Sequence, residues 1–511
     1  MLKISQLGEI LSDEFAIKVA GGSANPEELA IEKIKDSDIA GVAFDSREVR
    51  EGYVFVAIKG VKTDGHLFVE SAIEKGAVSV ICETPEIYEK YRKMYGDVLF
   101  LCVRDARRAL AVVSAYFYGR ACDKLKIIGI TGTKGKTSTS FMLASVLKEA
   151  GIKTGIIGTN GAYFEDFYEE LGHSTPESRD LHRLFAKMLS MGATHIVMEV
   201  SSQALLMFRV YGITFDTAIF TNITPDHIGE GEHPNFENYL YCKGLLFSMC
   251  RKAVLNLDCD KTPYMIDVCK SHNVPYTTFA CDDKSADFTA DNVKFFIDKR
   301  MSTSFEVTDN NGVKTKIDVG VPGKFSVFNS LCALTAARLY GIDYEIIKSA
   351  LKNVKVVGRI EPVHNDYCKA PVIIDYAHNE VSMESLFEAI RAYNPRKIIC
   401  VFGCGGNRSK LRRYEMGEVS GKNADLSVIT TDNSRFEELD DIIADILIGM
   451  NKTDGKYVIK KDRTEAIHYA MSQAQEGDVV LLVGKGQETY LDIKGVKTHY
   501  DEREAVAAYK G

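Results

Sequence analysis

The residues whose types and spacing best suit chemistry lie in the stretch IIGITGTKGKTSTS, Ile127 to Ser140. A short apolar run leads into a turn made of Thr131, Gly132, Thr133, Lys134, Gly135, Lys136 and Thr137, and a helical stretch follows over Ser138–Ala150. Glycines let a backbone close around phosphate oxygens, and a helix start offers free N–H groups at the positive end of its dipole. Lys136 can reach the outer phosphates of a nucleotide, and the Thr137 hydroxyl can ligate Mg²⁺. The spacing is a variant of the G-x-x-x-x-G-K-[ST] pattern: Ile130 stands where that pattern has its first glycine, with Gly129 and Gly132 on either side. Read alone, a glycine-rich strand-to-helix turn with no ligand is the alternative.

Three further positions follow this loop. HIVMEVSSQAL places Glu199 at a strand end ahead of Ser201 and Ser202, where a carboxylate can hold a hard cation through oxygen. FTNITPDHIG brings Asn222, Asp226 and His227 after another strand, and ENYLYCKGLLF sets Lys243 within a helix. Taken singly, His227 reads as a packing or solvent-facing residue and Lys243 as a solvated helix residue. Their order behind one phosphate loop points instead to a shared role.

These groups need a frame. The chain has 511 residues and a net charge of −8, from 63 Lys plus Arg against 71 Asp plus Glu. A length of this size suggests about three domains. The composition, 45% hydrophobic and 26% charged, is that of a globular protein and excludes collagenous and wholly disordered readings. Mild acidity argues against nucleic acid as the partner. The 12 cysteines include no C-x-x-C pair, and the N-terminal segment is too polar for a signal peptide, so reduced thiols in the cytoplasm are expected. No apolar run is long enough to cross a bilayer.

Three α/β blocks are expected, with bounds 1–123, 124–354 and 355–511. The first holds the short strands Val54–Gly60, Ala77–Glu83 and Asp97–Val103, a helical stretch Ala106–Tyr118 and a linker Gly119–Lys124. The second alternates the strands Lys126–Ile130, His195–Val200, Thr217–Ile223 and Lys252–Leu257 with helices, which implies a mostly parallel sheet. Asp287–Asp318 reads as an antiparallel hairpin or small meander around Asn310, Asn311 and Gly312. The third carries Pro371–Ala377, Lys397–Gly403, Asp425–Thr431 and Asp478–Gly484, the strands of a second doubly wound, Rossmann-like sheet. Ligands of such sheets bind beyond the carboxyl ends of the strands.

TGTKGKTS resembles the TGTxGKT[ST] loop of the Mur ligase family, ATP-dependent amide-bond-forming enzymes of peptidoglycan synthesis. The resemblance runs along nearly the whole chain. It implies that ATP is held by Gly132, Thr133, Lys134, Gly135, Lys136, Thr137 and Ser138, and that Mg²⁺ is held by Thr137, Glu199, His227 and a carbamate formed from CO₂ on Lys243. It makes Lys136, Glu199, His227 and Lys243 the catalytic set. PGKFSVFNSLCALTAA supplies Asn329, VVGRIEPV supplies Arg359 and IIDYAHNEVSME supplies Asp375, Tyr376 and His378 on the nucleotide side, at the junction of the second and third blocks. The family pattern has other residues at Ser326 and Val327 and a Thr-Pro pair at Asn379–Glu380.

AFDSREV, with Asp45, Ser46 and Arg47, resembles the uridine-binding domain of the members that add the third peptide residue, the MurE type. HSTPES and LLMFRV extend the match, so Ser46, Ser174, Thr175, Ser201 and Arg209 are implied to hold the UDP-muramoyl dipeptide. VFGCGGNRSKLRRYEMG retains Arg408 and Arg413, TTDNSRFEE matches a D-N-P-R box, and LLVGKGQETY matches G-K-G-H-E. These imply an amino-acid site of Arg408, Asp432, Asn433, Arg435, Gly484 and Glu488. A planar Arg fork suits a carboxylate. Asn433 with Arg435 can hold the distal carboxylate of meso-diaminopimelate, and Glu488 with Asp432 its ammonium; L-lysine lacks that carboxylate. The departures are Ser434 for Pro, Gln487 for His and Gln203 for His.

The expected function is therefore ATP-dependent addition of meso-diaminopimelate to UDP-N-acetylmuramoyl-L-alanyl-D-glutamate through an acyl phosphate, by a cytoplasmic monomer whose partners are small molecules. Two alternatives stay open: the same ligase using L-lysine or another diamino acid, and a nucleotide-binding scaffold without catalysis, which the missing imidazoles at Gln203 and Gln487 keep in view.

Overall fold

The computed structural model describes residues 2–14, 36–60, 63–226, 228, 229, 231–297 and 301–511. The chain divides into two compact units, one of Met1–Lys136, Ile152–Leu255 and Cys259–Thr277, the other of Thr137–Gly151, Asn256–Asp258 and Thr278–Gly511.

The first unit begins with a four-stranded parallel sheet in chain order, Gly41–Ala43, Tyr53–Val56, Ala77–Cys82 and Leu99–Cys102. Helices Val69–Glu74 and Pro85–Met94 make the crossovers that parallel neighbours require. Alternate residues face opposite sides, so Val54 and Val56 enter one core while Phe55 and Ala57 enter the other. The segment 119–124, expected as a linker, instead includes a single helical turn, Ala121–Asp123. Ala121 and Cys122 are apolar enough to join the core of the next sheet, which is why this stretch is held down.

That sheet runs, within the unit, in the order Ala253–Asn256, Thr217–Phe220, Lys126–Thr131, His195–Glu199, Thr154–Gly158, Gly161–Phe164 and Phe167–Glu169. The first five strands are parallel, and the last two add antiparallel hairpins that the sequence reading did not anticipate. Lys126–Thr131 is central, flanked by the strand that ends in Glu199 and the strand that leads into Thr221. The chain goes from it to the distant Thr154–Gly158 before filling the gap, which makes its carboxyl end a topological switch point.

In the second unit, Phe288–Ile297, Met301–Asp309 and Lys314–Val319 form the antiparallel meander expected around Gly312. A six-stranded sheet follows in the order Glu361–Val363, Val372–Asp375, Val479–Val483, Ile398–Phe402, Leu426–Ile429 and Tyr457–Ile459. It is parallel except for its first strand, and cores on both faces explain its continuous apolar runs. A two-stranded hairpin, Tyr490–Ile493 with Val496–His499, stands beside it in the chain. All twelve cysteines are free. Among the described residues no helix is long and apolar enough to cross a membrane.

Candidate active site

The phosphate-loop stretch folds as its residue types require. Strand Lys126–Thr131 ends, the chain turns through Gly132 and Gly135 at φ +154° and +87°, and helix Lys136–Glu149 begins with Thr137 and Ser138 in its first turn. A Cβ on Gly132 would lie 2.0 Å from Thr221 Oγ1. The loop is braced from the neighbouring strand end. Thr133 N–H donates to the Asn222 carbonyl at 2.9 Å, Lys134 N–H donates to Asn222 Oδ1 at 2.9 Å, and Asn222 Nδ2 and Thr221 Oγ1 donate back to the Lys134 carbonyl at 3.0 and 2.7 Å. Thr133 Oγ1 lies 3.1 Å from Tyr239 Oη and donates to the Thr224 carbonyl at 3.2 Å.

Lys136 folds back on this loop, Nζ donating to the Gly132 and Thr133 carbonyls at 2.8 and 3.1 Å. Lys243, from helix Phe236–Ser248, reaches the same Gly132 carbonyl at 3.0 Å with its amine 4.4 Å from the Tyr239 ring centroid. It is 1% exposed. Burial first, and the Lys136 charge second, hold its pKa well below the ordinary lysine value against the opposing pull of Asp226. Glu199 is likewise buried, its carboxylate accepting from Thr159 N–H at 2.9 Å and Thr159 Oγ1 at 3.0 Å. The structure thus brings Lys136 and Lys243 onto one oxygen. His227 lies outside the described residues. Among the described residues no three His, Cys, Asp or Glu side chains gather as a metal site. The oxygen donors that suit Mg²⁺ are the Thr137 hydroxyl and the Glu199 carboxylate; Lys243 suits it only once converted to a carbamate.

Of the residues expected to hold the muramoyl dipeptide, Thr175, Ser201 and Arg209 form a braced group. Thr175 Oγ1 donates to the Glu199 carbonyl at 3.0 Å and accepts from Ser201 N–H at 3.1 Å. Ser201 caps helix Ser202–Leu206 through Ala204 N–H. Arg209 donates to the Thr175 carbonyl at 2.9 Å and to Glu177 at 2.9 Å, and Arg107 joins Glu177 at 3.3 Å. Arg209 therefore fixes the segment carrying Ser174 and Thr175 as well as offering charge. Ser46 is buried, with its carbonyl accepting from Lys75 at 2.9 Å. Its neighbours Asp45 and Arg47 pair at 2.6 Å, which holds Asp45 below its ordinary value.

In the second unit, Thr139 Oγ1 reaches Asn329 Oδ1 at 3.4 Å. Arg359 lies over the Tyr376 ring at 5.4 Å, and the Tyr376 and His378 rings are 4.8 Å apart, so these three are together. Asp375 is spent on the backbone: its carboxylate accepts from Ile360 and Ala377 N–H at 2.7 and 2.8 Å, and burial raises its pKa.

The motifs expected to hold the amino acid meet beyond the carboxyl ends of their strands. Asn433 Nδ2 donates to Glu488 Oε2 at 2.8 Å, and Lys485, fully buried, reaches Glu488 at 3.2 Å, Asn433 Oδ1 at 3.3 Å and Asp432 at 3.9 Å. Asn433 N–H donates to its neighbour Asp432 at 2.5 Å, and Gly484 leaves room for that carboxylate, since a Cβ there would meet Asp432 Oδ2 at 2.8 Å. Arg435 has φ +51°; its Nη1 donates to the Gly406 carbonyl at 2.6 Å, and its backbone bonds Asp492 and Lys494 of the hairpin. Arg408 is exposed on the Gly405 side, where Arg435 Nη1 also comes close. Arg413 is different: it is 1% exposed and pairs with Glu437 and Asp445 at 2.8 and 2.9 Å, a framework role. Among the described residues, the two glutamines that replace expected imidazoles each leave one buried atom without a hydrogen-bond partner, Gln203 Nε2 and Gln487 Oε1.

The sequence alone marks no role for Thr159, Tyr239 or Lys485. Thr159 meets Glu199 and Tyr239 meets Thr133 across long stretches of chain, so no local signal marks them, whereas Lys485 sits inside GKGQE three residues from its partner Glu488.

Residues 130–337 match the Mur ligase middle domain, 358–486 the Mur ligase glutamate ligase domain and 38–118 the Mur ligase catalytic domain. The UDP-N-acetylmuramoyl-L-alanyl-D-glutamate–2,6-diaminopimelate ligase of Caldanaerobacter subterraneus subsp. tengcongensis is 42% identical over 472 residues, 92% of this chain and 94% of that one. Its Clostridium perfringens counterpart is 38% identical over 478 residues, 92% and 95% of the two chains. A solved structure of a ligase of that name superposes with a TM-score of 0.68 at 27% identity, covering 91% of this chain and 93% of the other.

Proposed function

This chain belongs to the Mur ligase family, and from that premise we propose that it is an ATP-dependent amide ligase joining meso-diaminopimelate to UDP-N-acetylmuramoyl-L-alanyl-D-glutamate, the reaction for which its relatives are named. The substrates are small molecules. The substrate's terminal carboxylate attacks the γ-phosphorus of ATP, forming an acyl phosphate and releasing ADP. The free amine of the acceptor attacks the acyl carbon, the C–N bond forms, the C–O bond breaks, inorganic phosphate leaves and the nitrogen loses a proton. The protein's work is positioning and charge stabilisation.

Lys136 and the loop N–H groups suit the phosphates. Glu199 and Thr137 are the residues we assign to Mg²⁺, which would supply neutralisation of phosphate charge. Lys243 is suited to carbamylation because its buried amine is held toward the neutral, nucleophilic form. Thr175, Ser201, Arg209 and Ser46 are assigned to the nucleotide sugar, and Asn329, Arg359, Tyr376 and His378 to ATP. We place the reaction in the cytoplasm, where ATP and reduced thiols coexist.

The choice of acceptor rests on one observation: the Asn433–Glu488 bond at 2.8 Å joins a segment bearing Arg435 to a segment bearing a carboxylate. A zwitterionic distal head needs both signs in one place, and lysine offers only a cation. The test is incubation with ATP, Mg²⁺, the muramoyl dipeptide and equal meso-diaminopimelate and L-lysine, followed by mass analysis. The diaminopimelate product is expected. A lysine product overturns the acceptor assignment, and phosphate release that stays at baseline overturns the ligase assignment.

A further inference from the structure

The two acceptor segments leave strands that are not neighbours. Leu426–Ile429 and Val479–Val483 both pair with Ile398–Phe402, which lies between them. The ladders end at Phe402, whose partners are Ile429 and Val483. The middle chain leaves through Gly403, where a Cβ would lie 2.4 Å from the Thr430 carbonyl. Beyond this point the sheet no longer fixes how far Asp432–Arg435 stands from Gly484–Glu488.

Asn433 and Lys485 join the two segments within the site, and Arg463 ties them at their starts. Arg463 Nη1 donates to the Thr431 carbonyl at 2.9 Å and Nη2 to the Val483 carbonyl at 3.0 Å, the residues immediately before Asp432 and Gly484. Its Nε donates to Glu502 Oε1 at 2.9 Å. Arg463 and Glu502 are the first residues of helices Arg463–Gln473 and Glu502–Ala508, and both are 1% exposed. The next residue, Arg503, donates to the Gly486 carbonyl at 3.2 Å and pairs with Glu361 at 2.5 Å, so the same helix start also braces the second segment. A guanidinium is planar, with donors in a fixed fork, so it holds two carbonyls at a set separation; an ammonium on a flexible stem does not.

We propose that Arg463, oriented by Glu502, is a positioning residue for acceptor binding, setting the distance between the Asp432–Arg435 and Gly484–Glu488 segments. This rests on the assignment of those segments to the acceptor. It makes a residue that touches no substrate a determinant of acceptor affinity, because an error of an ångström in placement is costly in a preorganised site.

The experiment compares Arg463→Lys and Glu502→Gln with the wild-type enzyme, measuring kcat and the KM of diamino acid, ATP and nucleotide sugar, with thermal unfolding alongside. Arg463→Lys is expected to raise the acceptor KM roughly tenfold or more while the other two KM values stay within about twofold. Glu502→Gln, which keeps an acceptor oxygen, is expected to move the same constant less. An unchanged acceptor KM, or equal rises in all three, overturns the proposal. Should Arg463→Lys fail to fold, the same criteria apply to Glu502→Gln. If the wild-type enzyme turns over no diamino acid, the acceptor assignment fails, and hydrogen exchange decides the tie itself. Faster exchange in the two segments, with Ile398–Phe402 unchanged, supports the tie; no selective change overturns it.

Discussion

Lys136 and Lys243 donate to the same oxygen, the carbonyl of Gly132, at 2.8 and 3.0 Å. Two ammonium groups so close, one of them buried, cannot both be comfortably charged. The consequence falls on Lys243, which is driven toward the neutral amine. A carbamate there, as proposed above, would carry a negative charge that Lys136 attracts.

Lys243→Ala should therefore lose activity by about a hundredfold or more, the scale for removing a preorganised charge-stabilising group. Short carboxylic acids added to the variant should restore part of the rate by standing in for the carbamate. Full activity without them would remove Lys243 from the reaction.

The same amine should cost stability when carbamate is absent. Its folded pKa lies below the unfolded 10.5, so between those values the unfolded chain binds more protons and native stability rises with pH. The deficit is greatest below the folded pKa and vanishes above the unfolded one. In CO₂-free buffer Lys243→Met should raise Tm at pH 7, by about 2–4 °C for each kcal/mol recovered. The advantage should shrink as pH approaches 10.5; a pH-independent gain would point to packing instead.

His182 predicts acid sensitivity. It sits on helix Ser178–Ser190 against Phe185, 5.9 Å between ring centroids, with neither ring nitrogen hydrogen-bonded among the described residues. Burial pushes its pKa down from 6.5 to about 4. The neutral ring's contribution is whole above the unfolded pKa and is lost as pH falls through that window, by roughly 3 kcal/mol. His182→Phe should flatten the fall of Tm over this range; an unchanged slope would place the sensitivity elsewhere.

Arg435→Ala should raise the KM for the diamino acid by roughly 10–100-fold, the loss of a charged hydrogen bond, and leave the KM for ATP nearly unchanged. Steady-state titration of each substrate separates the two, and equal changes would argue against the acceptor assignment.

Gly132→Ala should abolish ATP-dependent phosphate release. The new Cβ would fall 2.0 Å from Thr221 Oγ1 and 3.0 Å from the Asn222 carbonyl, so the bracing that shapes the phosphate loop must give way. Retained nucleotide affinity by calorimetry would show that the loop tolerates the shift.

Most of the parallel strands and the loop chemistry were legible from local residue types, though the hairpin strands Gly161–Phe164 and Phe167–Glu169 were not. Strands such as Lys126–Thr131 and Ile398–Phe402 are short apolar runs, and helix Ala106–Phe117 carries Asp105 as its N-cap; these preferences are local. The Thr131–Thr137 turn needs only neighbours in the chain, so its spacing announced it. What tertiary structure decided is which polar groups are spent. Asp375 and Arg413 sit in motifs as visible as those of Lys136, yet one holds two backbone N–H groups and the other two carboxylates. Asn433 is tied to Lys485, Glu488 and Asp492, and Arg463 bridges strands that a third separates. Hydrogen bonds of this kind join residues dozens of positions apart, and burial strips away the water that would otherwise compete for them. Neither the partner nor the desolvation is written in local spacing, because both exist only once the sheets have assembled.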